Sequence, residues 1–185
     1  MVSITALWLP ILLAAVIVFV ASSLVHMVVK YHQSDYKQLP EEDKILATMR
    51  AAGVQRGLYT FPYCTHQNMK SDAIQEKFKQ GPAGLLTVFP AGLPAMPKFL
   101  GLWFAYCLLI GFFTAYLTGH TVAFGAHYPV VFRVAGTAAF MAYGLGPLVN
   151  GIWKAQPWSG VLKETFDGLI YALLTAGTFG WLWPR

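Results

Sequence analysis

The sequence predicts an all-α integral membrane protein, a four-transmembrane-helix bundle with a small inner-side subdomain of short helices and a two-stranded ribbon. Three observations carry this. Hydrophobic residues make up 56% of the chain and charged residues only 11%, against about 25% charged in an ordinary soluble domain. Four apolar stretches, 4–29, 97–117, 130–153 and 166–183, are long enough to cross about 30 Å of hydrocarbon as helices. All but two of the 13 Lys and Arg residues fall on one side of those stretches. At 185 residues the chain reads as a single membrane domain, 1–185, with no room for a separate soluble enzyme.

The first stretch, 4–29, carries no charge before Lys30 and lacks a basic leader, so it is expected to stay as a signal anchor rather than be cleaved. Pro10 sits in its first two turns, where a missing backbone donor costs least. The connection 31–96 is too long to be an incidental link. Within it, Pro40-Glu-Glu-Asp43 opens a helix to about Ala52, with Gly53 to stop it. A second helix is expected over 72–79, capped by Ser71 and ended by Gly81-Pro82. The runs 57–61 and 85–89 have the β-prone character of a ribbon. The run 81–97, with Pro82, Pro90, Pro94 and Pro97, cannot be a regular helix, and its apolar side chains suggest that it re-enters the protein or the interface. The remaining loops, 119–129 and 154–165, are short.

Lys and Arg resist translocation, which makes 31–96 and 154–165 the inner segments. Only Arg133 and Arg185 are then left for the outer half. The expected topology is multi-pass with the N-terminus and C-terminus outside. Trp8, Trp181 and Trp183 would lie at the outer interface, and Trp103, Trp153 and Trp158 at the inner one. The formal charge of +5 is thus a topology signal, and nucleic acid is not an expected partner.

Small residues recur every four positions in three spans: Gly168, Ala172, Ala176 and Gly180; Gly111, Ala115 and Gly119; and Ala138, Ala142 and Gly146. Such faces let membrane helices approach closely. They either pack the four helices together or, on at least one span, face outward to a second copy or another membrane subunit. Arg133, about one turn inside the third span, has every acidic residue of its own chain on the opposite side, so it snorkels to lipid phosphate or meets an anion from elsewhere. Asp167 is expected at the start of the fourth helix, where a carboxylate favours the positive end of the helix dipole.

His26, near the inner end of the first span, has Ser22 and Ser23 on nearby turns and Tyr31, His32 and Asp35 just beyond. That cluster suits proton relay or head-group binding, or simple interfacial hydrogen bonding. A b-type haem would want two histidines at matched depth on facing helices, and His120 and His127 fall at the other end from His26. Cys64 and His66 are too few for a zinc site, and with Cys107 in a span there is no disulfide framework. No catalytic residue, metal site or cofactor is therefore expected.

The pattern Ser22-Ser-Leu-Val-His26, Tyr31-His-Gln-Ser-Asp-Tyr36, Phe132-Arg-Val-Ala-Gly-Thr-Ala138 and Asp167-Gly-Leu-Ile-Tyr-Ala172 resembles a family of small four-helix bacterial inner-membrane proteins without an established activity. The resemblance implies a bacterial cytoplasmic (inner) membrane location and transfers no site. Three functions stay open. The first is an accessory or structural subunit of a membrane assembly, with lipids and either further copies of itself or other membrane subunits as partners. The others are a carrier or binder of a lipid or small anion, and a membrane enzyme using His26, Asp35, Cys64 or His66.

Overall fold

A computed structural model describes residues 1–185. Helices dominate, and three of them are long and apolar enough to cross a membrane: Ile4–Val29, Met96–Thr121 and Tyr128–Lys154. The chain divides into a helical unit, 1–36 with 95–185, and a smaller unit, 37–94.

In the helical unit, a 3-10 turn over Ile4–Leu7 leads into α1 (Trp8–Leu24), which runs on as a π-helical turn over Val25–Val29. Lys30 then takes a left-handed conformation at φ 57°, and a 3-10 turn covers Tyr31–Asp35. The chain re-enters the unit in α4 (Met96–Thr121), followed by α5 (Tyr128–Tyr143), α6 (Gly146–Lys154) and α7 (Trp158–Trp181).

The second span is longer than the expected 97–117 by about a turn at its C-terminus. The third, expected as one helix over 130–153, is broken at Gly144 and Leu145. Pro147 explains the break, because its ring conflicts with the carbonyl four residues back, that of Tyr143, where α5 ends. The fourth helix begins two turns before the expected 166, and the expected loop 154–165 shrinks to the few residues around Ala155 and Pro157. Asp167 therefore lies inside α7, and attraction to the helix dipole at an N-terminus does not account for it.

Close packing of α7 follows from its small residues. Ala172 and Ala176 are buried, and Gly168 and Gly180 with them. A Cβ at Gly168 would stand 2.6 Å from the Tyr143 carbonyl oxygen, and one at Gly180 2.7 Å from the Tyr128 ring. This stripe is consumed against α5 and faces no outside partner. The stripe on α4 is likewise turned inward, with Gly111 against the backbone of Ile11 and Gly119 against Val2. On α5 the buried small face is Ala135 and Ala139, one position off the expected Ala138, Ala142 and Gly146. Ala142 and Gly146 are exposed.

One end of the unit gathers both termini. The Val2 amide donates to the Gly119 carbonyl at 2.8 Å, the Gly125 amide to that of Pro184 at 3.0 Å, and the Trp183 indole to that of Ala123 at 3.0 Å. Between the ends, two apolar clusters form the core, one around Leu7, Val131 and Phe179, the other around Val18, Cys107 and Tyr171.

The smaller unit contains α2 (Glu42–Ala51), β1 (Gly57–Phe61), α3 (Asp72–Gln80) and β2 (Gly84–Val88). The strands pair antiparallel from Gly57 opposite Val88 to Phe61 opposite Gly84, the ribbon that the sequence suggests. Gly53, at φ 68°, follows α2, as a glycine stop requires. Ser71 precedes α3 but makes no side-chain cap; its hydroxyl donates to the Asn68 carbonyl at 2.8 Å. Residues 89–94 bury nothing, and Leu93 is 97% exposed. Of the two expected placements for the run 81–97, the one inside protein is thereby corrected for 89–94, and the one at the interface stands as the expectation.

Candidate functional site: a polar cluster below an apolar cleft

At the end of the helical unit away from the termini, the turn after α1 meets the first half of α7. The π-helical turn over Val25–Val29 adds a residue to the helical spiral and carries His26; such turns often mark functional positions. Lys30 then reverses the chain, bringing Tyr31, His32 and Asp35 back against Lys163 and Asp167.

The contacts form one continuous network. The Tyr31 hydroxyl donates to Asp167 Oδ1. His32 Nε2 stands 2.8 Å from Asp167 Oδ2 and its Nδ1 2.9 Å from Asp35 Oδ2. Lys163 Nζ donates to Asp35 Oδ1 at 2.6 Å, to Ser34 Oγ at 2.7 Å and to the Tyr31 carbonyl at 3.0 Å. The His26 ring stacks on His32 with centroids 4.8 Å apart, and its Nδ1 lies 2.9 Å from the Ser22 carbonyl. Ser22 Oγ also accepts from the Trp103 indole at 2.8 Å, which ties α4 to the cluster.

Charge balance accounts for the burial. Two carboxylates are matched by one ammonium and, when both ring nitrogens of His32 donate, one imidazolium, so no unpaired charge is left inside. Burial acts to lower the His32 pKa, but the hydrogen bonds to Asp167 and Asp35 outweigh it, and the ring titrates above the usual histidine range. The hydrogen bond from Lys163, with a smaller contribution from His32, holds Asp35 below the ordinary carboxylate value against its own desolvation. Burial, then the hydrogen bond to Asp167 and the two nearby carboxylate charges, push Tyr31 well up. It stays a donor.

Above this cluster lies a cleft of about 780 Å³, within the range of small-molecule sites, about 300–1,000 Å³. Its walls are mostly apolar, including Met27, Met96, Leu100, Trp103 and Pro147, and His26, Asp167 and Tyr171 face it. Tyr171 is only 4% exposed, yet its hydroxyl has no hydrogen-bond partner. Thr165 Oγ1 is likewise without a protein partner.

Of the residues singled out from sequence, His26, Asp35 and Asp167 thus converge. Arg133 stands apart on α5, exposed, with its Nε donating only to the Pro129 carbonyl at 3.3 Å. Cys64 is half-buried and His66 exposed in the smaller unit, with no hydrogen bond between them. Sequence reasoning named Tyr31 and His32 only as neighbours of His26, and it missed Lys163, Trp103 and Tyr171 as site residues. It sought paired histidines on facing helices, whereas His26 and His32 come from successive turns of one reversing segment. Donor atoms of His26, His32 and Asp167 all lie within 4.8 Å of one another.

Comparison with known proteins adds no relative: no family model, no curated protein and no solved structure matches the chain.

Proposed function

We propose that the chain is a four-span membrane protein that binds an amphiphile, its head against the Asp167 and Tyr171 side of the cleft and its tail along the apolar wall. The observation that carries this is the cleft itself, about 780 Å³, with Met27, Met96, Leu100, Trp103 and Pro147 on its walls and the polar His26 and Asp167 at one side. The outer faces of α1 and α4 support a lipid setting, since Leu12, Val16, Val20, Leu109 and Phe113 are all exposed.

The fourth crossing is α7. It has 24 residues, about 36 Å at 1.5 Å per residue, and its charged residues Lys163, Glu164 and Asp167 lie in its first half. Termini gathered at one end fit an even number of crossings. The basic residues argue that this end is outside, and the sequence resemblance argues for a bacterial inner membrane.

The test is native mass spectrometry of protein released from mild detergent, with lipid extraction of the same sample. One amphiphile per chain is expected on the wild type and its loss from Ala142→Trp, which fills the cleft from an exposed wall position. An identical bound-lipid profile in both proteins would overturn the reading. A second reading, a subunit of a larger membrane assembly, rests on Arg133, whose guanidinium has no carboxylate within its own chain.

A further inference from the structure

We propose that His26, His32 and Asp167 form a binding site for one divalent transition-metal cation at the floor of the cleft. The proposal shares residues with the amphiphile reading but does not depend on it.

His32 and Asp167 have their other polar atoms already held. His26 Nδ1 faces the Ser22 carbonyl at 2.9 Å, leaving Nε2 free. His32 Nδ1 faces Asp35 at 2.9 Å, so its Nε2 is the atom turned toward Asp167. Asp167 Oδ1 accepts from Tyr31, and its Oδ2 pairs with His32 Nε2 at 2.8 Å, so a metal ion entering between them displaces the Nε2 proton. Outer partners of this kind, a carbonyl or carboxylate on the far ring nitrogen and a hydrogen bond on the ligating carboxylate, accompany nearly all histidine metal sites because they fix the tautomer and orientation. Asp35 is itself anchored by Lys163 at 2.6 Å.

Two donors each about 2.1 Å from one metal are at most about 4.2 Å apart, and the three donor atoms lie within 4.8 Å of each other. Ligation therefore requires the exposed His26 ring to turn out of its stack on His32, which releases its Nδ1 from the Ser22 carbonyl. Imidazole with carboxylate is the donor set of Zn²⁺ and Fe²⁺ rather than of Mg²⁺ or Ca²⁺. Three protein ligands leave a coordination position open, as in reactive rather than structural sites. His26 and Asp167 line the cleft, so the site adjoins it.

Zn²⁺ is the appropriate probe, because a nitrogen and oxygen site that takes Fe²⁺ takes Zn²⁺ at least as tightly. Full-length protein in detergent, stripped with a chelator, is titrated with zinc chloride and its retained metal counted by elemental analysis. One Zn²⁺ per chain is expected. His26→Ala is chosen because His26 lies outside the hydrogen-bonded chain joining Tyr31, Asp167, His32 and Asp35; it should weaken binding by at least tenfold while eluting as the wild type does. Asp35→Asn should weaken it by about 10–100-fold. Cys64→Ser should leave it unchanged. Absence of saturable binding, or less than a tenfold effect of both His26→Ala and His26→Gln, would overturn the site. Zinc bound without a co-purified amphiphile, or the reverse, tells failure of one reading from failure of the other.

Discussion

Asp167 is the residue on which the helical unit turns. It is 4% exposed and accepts from Tyr31 and His32, so its charge is tolerable only while the 3-10 turn after α1 stays docked. Removing one partner of a buried charged group costs on the order of 1–3 kcal/mol or more. His32→Phe should therefore destabilise the protein by at least about 2 kcal/mol, seen as a lower melting temperature in detergent; an unchanged melt would show that Asp167 does not need this partner. Arg133 makes the opposite prediction. Its single contact is to its own helix, so Arg133→Gln should leave the melt within about 0.5 kcal/mol of wild type. If it also leaves the detergent-solubilised mass unchanged, the assembly reading loses its support.

Among the elements, α7 shows where sequence reasoning succeeds and where it stops. Its four-residue spacing of Gly168, Ala172, Ala176 and Gly180 is legible because close approach demands small side chains wherever the partner helix lies. The identity of that partner is not, since α5 inside the chain and a helix of another copy ask for the same residues. The start of α7 is hidden because Lys163 and Glu164 read as loop charges until their partners are known: Asp35 for Lys163 and Gln156 for Glu164 at 3.3 Å. The break after α5 was missed in the expected span 130–153, although Gly144-Leu-Gly-Pro147 carries its signal. The π-helical turn and the left-handed Lys30 leave no compositional trace, and the pairing of His26 with His32 was invisible for that reason. Gly168→Ala tests the helix contact: its Cβ would meet the Tyr143 carbonyl oxygen at 2.6 Å, backbone that cannot move aside cheaply. A loss of about 1–3 kcal/mol is expected, against little effect from Leu173→Ala on the exposed face.

At the scale of the whole molecule, the proposed amphiphile site requires α7 to cross the membrane, which would put the polar cluster at a boundary where a charged network and a lipid-facing cleft can coexist. Three helices are apolar enough by themselves to span, and three crossings would put the termini on opposite sides. In the structure the two terminal segments instead share one end with the 119–126 turn. Single cysteines placed in a Cys64→Ser background, labelled in intact cells with a membrane-impermeant reagent, decide between these. The account predicts labelling from outside at 121–127 and at both termini, and none between 36 and 90. Labelling of only one terminus, or of the 36–90 segment, would contradict it.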